Sequence, residues 1–347
     1  MASEDEVVPQ GTTDPAQLTD PSQDLAARAS AAHVPVMRDR ILAMLAPALE
    51  GAGRTRIHVD GTTGMGGHIE AVLDRFPGVQ VIGIDRDPQA LELAAARLAR
   101  FGDRVTLVRA VYSELSQVLA GLGVARVDSM LLDLGLSSLQ IDHTERGFAY
   151  SVDAPLDMRM GQDAGMTAAD VVNTYPVKDL ARVLRTYGEE KFADRIAQRI
   201  VAAREQQPFE RSGRLVEVIT AAIPAAVRAK STGHPAKKSF QALRIEVNGE
   251  LAALDGVLPA ALDALAVGGR LAVLAYHSLE DRRVKDLFRE ASSDQAPPHL
   301  PVVPDHLLAR FELVTRGADK PTEAEIADNP RAASARLRVI ERIREQA

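Results

Sequence analysis

At about 150 residues per domain, a chain of 347 residues is long enough for two domains, and an apolar fraction of 46% is that of an ordinary globular protein. With 41 basic against 48 acidic residues the net charge is −7, the wrong sign for a protein that coats nucleic acid by net charge alone. The absence of cysteine excludes disulfides, cysteine-bound zinc, iron–sulfur clusters and every cysteine-nucleophile mechanism, and no metal site is expected.

Residues 1–32 hold Glu4, Asp5, Glu6, Asp14, Asp20 and Asp24 against only Arg28, with two Asp-Pro turns and no bulky aromatic. Such a segment cannot bury enough surface to offset its ordering entropy and is expected to be a disordered tail. Its start, Met-Ala-Ser-Glu-Asp-Glu, lacks the basic residues and apolar stretch of a signal peptide. The most apolar stretch, Val257 to Tyr276, is broken by Pro259, Asp263 and Arg270, so no transmembrane segment is expected. A cytoplasmic protein with no membrane partner follows as the expectation.

From Arg56 onward, short apolar runs alternate with helical patterns. Strands are expected at 56–60, 79–85, 105–108 and 127–133, with helices at 69–75 and 88–101. Strands alternating with helices indicate a parallel, doubly wound α/β sheet. The alternation stops after Gln140, and Thr167 to Ala229 reads as helix upon helix, punctuated at Pro176, Pro208 and Pro224. Strand character returns at 269–276, and the segments 311–315 and 336–341 suit a closing antiparallel pair. The expected organisation is an α/β core in two parts, 33–141 and 246–347, interrupted by a mostly helical insertion at 142–245 that would recognise substrate.

The first strand ends in a glycine-rich turn, Asp60-Gly-Thr-Thr-Gly-Met-Gly-Gly-His68. Gly64, Gly66 and Gly67 would let backbone approach a ligand, or could simply close a tight strand-to-helix turn. Asp85 ends the next strand 19 residues after Gly66, where doubly wound nucleotide binders place the carboxylate that holds ribose hydroxyls. Asp87 is expected to cap the helix that begins at Pro88. A dinucleotide reading is weakened by Ile69, which takes the position that close helix packing reserves for a small residue. An adenosyl ligand without a diphosphate, such as S-adenosylmethionine, therefore fits better than NAD.

The fourth strand delivers Asp133-Leu-Gly-Leu-Ser-Ser138 to the carboxyl edge of the sheet, where Asp133 could accept hydrogen bonds from an amino group or merely shape a turn. The fifth delivers Tyr276-His-Ser-Leu-Glu-Asp281 to the same edge, although Glu280 and Asp281 could serve only to charge a helix's first turn. Between Arg228 and Arg244 lie Lys230, Lys237 and Lys238 with no acid, a local +5 that also contains His234. That run is either a solvated face or a grip on a phosphate backbone.

Several segments recur together in one family: His33-Val-Pro-Val-Met37, the 60–68 turn, Gly83-Ile-Asp-Arg-Asp-Pro88, Leu131-Leu-Asp-Leu-Gly-Leu-Ser-Ser138, Glu145-Arg-Gly-Phe148, Pro155-Leu-Asp-Met-Arg-Met160, His234-Pro235, 240–250, His277-Ser-Leu-Glu-Asp-Arg282 and Asn329-Pro-Arg-Ala332. From about residue 33 to 343 the chain closely resembles the bacterial small-subunit ribosomal RNA cytosine-N4 methyltransferases, the MraW or RsmH family. The resemblance implies a class I, Rossmann-like S-adenosylmethionine-dependent methyltransferase core with an inserted helical domain. It also implies cofactor contacts at Gly66, Gly67, His68, Asp85, Tyr112, Asp133 and Gln140. The chain departs from the family at Tyr112, often Phe, and at Leu139, often Pro; tyrosine keeps a ring that could cover adenine, while leucine loosens the loop that carries Gln140.

In-line methyl transfer mainly requires that two reactants be positioned and water kept away. Asp133 and nearby carbonyls are expected to hold the cofactor's amino acid portion and the target amine, with Ser137, Ser138 or His277 touching the base. Transfer to cytosine C5 needs a cysteine adduct, which this chain cannot form, whereas transfer to the exocyclic amine needs none. Arg228, Lys230, Lys237, Lys238 and Arg244 would face the RNA. The implied partner is small-subunit ribosomal RNA, free or within the assembled subunit, and a homodimer is compatible with it. Rival readings are an NAD-dependent oxidoreductase, a noncatalytic ribosome-assembly factor, and a methyltransferase acting on a protein amide or adenine. The tail carries −5 of the −7, so the body is nearly neutral and its local +5 suits shape-directed recognition of RNA.

Overall fold

The computed structural model describes residues 35–51, 53–137, 139–140, 143–161, 165–230, 233–297 and 304–345; the acidic tail and Ser138 lie outside them. Helix α1 (Arg38–Leu49) leads to strand β1 (Arg56–Asp60), α2 (Gly67–Arg75), β2 (Val79–Asp85), α3 (Pro88–Leu98), β3 (Val105–Arg109), α4 (Leu115–Gly121) and β4 (Val127–Asp133). Helices follow: α5 (Ala168–Thr174), α6 (Val177–Gly188), α7 (Ala193–Gln206), α8 (Ser212–Ala222), the single turn α9 (Ala225–Arg228), α10 (Lys237–Asn248) and α11 (Glu250–Ala264). Strand β5 (Leu265–Ala275), α12 (Ser278–Ala291), β6 (Phe311–Leu313), α13 (Glu323–Asp328) and β7 (Arg336–Arg342) follow among the described residues.

The seven strands form one sheet in the order β3-β2-β1-β4-β5-β7-β6. Strands β1 to β5 run parallel, and β7 enters antiparallel between β5 and β6. This is the expected doubly wound, Rossmann-like core with its closing antiparallel pair. The order reverses between β1 and β4, so the crevice at their carboxyl ends is the switch point where ligands bind in such sheets. Strand β4 is buried at every position but Asp133, which fits a central strand covered on both faces. One face is packed by α4, α11 and α12 through Leu115, Leu119, Leu254, Leu258, Val284 and Phe288. On the other, α1, α2 and α3 contribute Ile41, Leu45, Ile69, Leu73 and Leu98.

The helical stretch builds an apolar cluster of its own, from Phe148 through Leu180, Ile196, Leu215 and Ile219 to Leu243. Helix α10 runs unbroken across position 245, so the expected boundary there falls inside a helix. Val257 to Tyr276 divides between the end of α11 and β5, and among the described residues no helix is long and apolar enough to cross a membrane.

One loop, 143–161, ties core to helices. The Leu156 N–H donates to Glu210 O (2.9 Å) and the Ser212 N–H to Ala154 O (2.8 Å). Toward the core, the buried guanidinium of Arg146 meets Asp87 Oδ2 at 2.6 Å and donates to Met160 O at 2.6 Å. Asn248 completes the loop, donating to Met158 O and accepting from the Met160 N–H, both at 2.8 Å. Met158 between them has φ +62°, a left-handed conformation uncommon for a bulky residue, and these bonds hold it there.

Candidate active site

Three strand ends converge at the switch point. At the end of β1, Asp60 is fully buried, and burial pushes its carboxyl up to about 6 even though His68 and the Thr62 N–H work to lower it. Its Oδ1 accepts from the Thr62 N–H at 2.9 Å, and Thr62 Oγ1 in turn accepts from the backbone N–H of Asp133 at 2.7 Å. The glycine turn is thus stitched to the end of β4. Gly66 sits in the left-handed region (φ +79°), where a Cβ would come within 3.0 Å of Leu98 Cδ1. A Cβ on Gly67 would reach Pro35 Cγ at 2.7 Å. Those two glycines are demanded by packing, while Gly64 faces the gap toward Ser137, whose Cβ is 3.9 Å from where a Gly64 side chain would start.

Asp85 ends β2 with Oδ2 accepting from the Gly64 N–H (2.7 Å) and Oδ1 from the Asp87 N–H (2.9 Å). Burial raises its pKa, and those two backbone donors oppose the rise. Each oxygen keeps an acceptor site for a ligand hydroxyl. Asp87 caps α3 through the Gln89 N–H (3.1 Å) as expected, and it also carries the buried ion pair with Arg146, which the sequence reading did not find.

At the end of β4, Asp133 is part-exposed and bracketed. The Tyr276 hydroxyl donates to its Oδ1 at 2.8 Å, and His68 Nε2 stands 3.5 Å from its Oδ2. Burial, with the Asp133 carboxylate next in importance, holds the Tyr276 phenol well above its ordinary range, so it stays a donor. Gly135 makes room for this ring, since a Cβ there would lie 3.2 Å from Tyr276 Cδ2. His68 is buried, and its Nε2 has no hydrogen-bond partner among the described residues. An orphaned buried nitrogen beside a carboxylate and a glycine turn fits a bound polar ligand such as the amino acid portion of S-adenosylmethionine.

Tyr112 is largely buried, and its hydroxyl donates to Glu250 O at 3.2 Å; burial, then Glu250 and Glu280, pushes its pKa up. Gln140 is buried and held locally, its Oε1 accepting from the Ser137 N–H (3.1 Å) and its own N–H donating to Ser137 Oγ (3.3 Å). Position 139 therefore does not leave Gln140 loose.

Two expected positions fall differently. His277 turns to Glu280, with Nε2 3.2 Å from Oε1 and the side chain only 10% exposed, and the group from this segment that meets Asp133 is Tyr276. Burial works to raise the pKa of Glu280, but His277 and Arg244 outweigh it. Arg244, expected among the RNA-facing cations, points inward: its guanidinium forks onto Glu250 with two 2.8 Å bonds, so it does not offer its charge to a phosphate. Glu250, His277 and Glu280 bring ligand atoms within 4.8 Å of one another, but with Arg244 seated on Glu250 the cluster is a buried ion-pair network. Asp281 bonds Arg336 and Arg338 on β7, a structural tie.

Arg228, Lys230, Lys237 and Lys238 are all exposed. Lys238 Nζ donates to Glu189 O at 3.1 Å, and the Glu189 carboxylate accepts from Ser278 Oγ at 2.8 Å. The basic start of α10 is therefore linked through Glu189 to the start of α12, one residue past His277. Ser138 lies outside the described residues.

Sequence reasoning missed Asp60, Thr62, Arg146, Asn248 and the role of Tyr276. The signal for all five was their place inside segments already singled out: Asp60 and Thr62 in the 60–68 turn, Arg146 in 145–148, Asn248 in 240–250 and Tyr276 in 276–281.

The model of the MraW methylase family matches residues 30–343. Ribosomal RNA small subunit methyltransferase H of Cutibacterium acnes is 63% identical over 314 residues, covering 90% of this chain and 93% of that protein. Proteins of the same name from Renibacterium salmoninarum and Streptomyces avermitilis are each 58% identical over 315 residues, covering 90% and 91% of this chain and 95% and 98% of theirs. The chain belongs to the MraW methylase family.

Proposed function

We propose that this protein transfers the methyl group of S-adenosylmethionine to the exocyclic N4 amine of a cytidine in small-subunit ribosomal RNA, by direct displacement in the cytoplasm. The observation that carries the chemistry is Asp133, a part-exposed carboxylate at the switch point with Oδ1 taken by the Tyr276 hydroxyl and Oδ2 3.5 Å from the orphaned His68 nitrogen. The identity to proteins named for the small ribosomal subunit supports the substrate.

S-adenosylmethionine, when bound, supplies an electrophilic methyl group on a sulfonium. The ribose hydroxyls would be held by Asp85, the adenine covered by Tyr112, and the amino acid portion met by Gly66, Gly67, His68 and Asp133, with Gln140 fixing the loop beside it. Cytosine's amine delocalises its lone pair into the ring and is a poor nucleophile. An acceptor for one amine hydrogen turns that pair toward the methyl group, and Asp133 Oδ2 serves as that acceptor. Ser137, across from Gly64, contacts the base. The stitched β1 and β4 ends fix these groups before substrate arrives, which is where positioning lowers the barrier. The helical insertion recognises RNA, with Arg228, Lys230, Lys237 and Lys238 along the phosphates.

Mass mapping of ribosomal RNA nucleosides from cells lacking the protein tests the reading: one N4-methylated cytidine of the small subunit should disappear and return with the wild-type gene but not with Asp133→Ala. An unchanged nucleoside profile would overturn it, and so would an Asp133→Ala protein with wild-type turnover and cofactor affinity.

A further inference from the structure

We infer that Tyr150 and His234 form a stacking platform for one unpaired base of the RNA, an inference that rests on the RNA reading above. The two rings are stacked, with centroids 4.7 Å apart and planes at 19°. Beneath them Phe240, buried in the helical cluster, meets Tyr150 edge-on at 6.0 Å and 85°. The three rings therefore grade outward, from buried Phe240 through part-buried Tyr150 to exposed His234. The stack ends in solvent at His234, which leaves the outer face of that ring open to a further ring.

The outermost ring is also held in one orientation. The Ala236 N–H donates to His234 Nδ1 at 3.2 Å, which fixes the plane of the imidazole. Pro235 stiffens the chain between donor and acceptor. A ring fixed in one plane suits stacking on the π-face of a base, which every nucleobase offers.

The stretch of chain that carries His234 favours a polyanion. Arg228, Lys230 and Lys237 are exposed on either side in the chain, and no acid occurs from 228 to 244. The two supports also lead toward the reaction centre. The loop carrying Tyr150 is pinned by Arg146 to Asp87, two residues past Asp85. Helix α10, which begins three residues after His234, is tied through Lys238 and Glu189 to Ser278. A base splayed from its helix so that its neighbour can enter the crevice would find this platform on the rim.

The test uses the full-length protein and a single-stranded RNA oligonucleotide containing 2-aminopurine, whose fluorescence is quenched by stacking. Wild type should quench it on binding. His234→Ala should lose that quenching and raise the KM for ribosomal RNA about tenfold, with cofactor affinity by calorimetry unaltered and the salt dependence of RNA binding kept. His234→Phe should restore both quenching and KM. Unchanged quenching in His234→Ala, or a loss that His234→Phe does not restore, overturns the platform. If nucleoside mapping showed no ribosomal RNA target, the RNA reading itself would fail, a different outcome from a methylating enzyme indifferent to His234.

Discussion

Asp133 has two oxygens, and the protein occupies one of them. The Tyr276 hydroxyl at 2.8 Å fixes the carboxylate plane, so Oδ2 is aimed by a rigid ring and not by a free rotor. Removing the donor leaves the ring and the packing against Gly135 in place. Tyr276→Phe should therefore lower kcat about tenfold, the effect of one hydrogen bond of about 1.4 kcal/mol, with KM for RNA and thermal stability close to wild type; an unchanged kcat would remove Tyr276 from the site's design. This pair was not legible in the sequence because its members lie 143 residues apart, whereas the glycine turn, Asp85 and Asp133 were legible because strand ends announce themselves locally. Ile69 shows the converse. Its bulk argues against close packing of α2 on the sheet, yet it is fully buried, because Gly83 on β2 has no side chain where a Cβ would stand 2.8 Å from Ile69 Cδ1. A one-dimensional motif records the bulky residue, and only the fold reveals the vacancy opposite.

Strand β1 carries two buried titratable groups with opposite effects on stability. His58, bonded through Nδ1 to Ser129 Oγ at 2.7 Å, is pushed down from 6.5 to about 3 by burial and then by His68. Between those values the unfolded chain takes up a proton that the folded chain refuses, so its contribution, present above pH 6.5, is lost as pH falls, at up to about 1.4 kcal/mol per unit. Asp60, raised from 3.8 to about 6, binds its proton more tightly when folded; what it contributes is present below pH 3.8 and lost as pH rises through 6. His58→Asn removes the first effect and leaves the second. Its urea midpoint, compared with wild type, should improve steadily from pH 6.5 to 4, and a pH-independent difference would mean that His58 titrates normally. The loop 143–161 depends on Asn248 in a different way. Asn248→Ala strips partners from the Met158 carbonyl and Met160 N–H, which should destabilise the protein by about 2 kcal/mol and free Met158 from its left-handed conformation. Limited proteolysis within 155–161 would detect that release, and resistance equal to wild type would show the loop held by other bonds. Strands β1 to β4 were readable within a residue because apolar runs and turn residues bound them. Helix α1 was not, with Pro47 in its last turn interrupting the helical pattern. The order in the loop was not either, since its polar ties reach to residues 87, 210 and 248.

Across the whole molecule, charge is distributed by position and not by sum. The two-part core around a helical insertion was visible where the strand alternation stopped, but which cations of the +5 run face outward was not, because the sequence cannot tell an exposed lysine from one spent on a buried acid. Arg244 is spent on Glu250, and Lys238 is engaged with the Glu189 carbonyl. Lys237 is exposed at the start of α10, with its charge available to a phosphate. Each phosphate that the protein no longer neutralises should reduce the slope of log K against log salt by about 0.7 for single-stranded RNA. Lys237→Glu should therefore flatten the salt dependence of RNA binding by about that amount or somewhat more, as the new carboxylate also repels its neighbouring phosphate, while cofactor affinity holds. Arg244→Glu should do something else: it leaves Glu250 and Glu280 facing a third acid in a buried space, so the expected loss is of folding and of the Tyr112 wall, with no specific change in slope for whatever protein remains folded. Titrations of both variants across a salt series separate the two roles. Equal slopes for Lys237→Glu and wild type would place the RNA path elsewhere on the insertion.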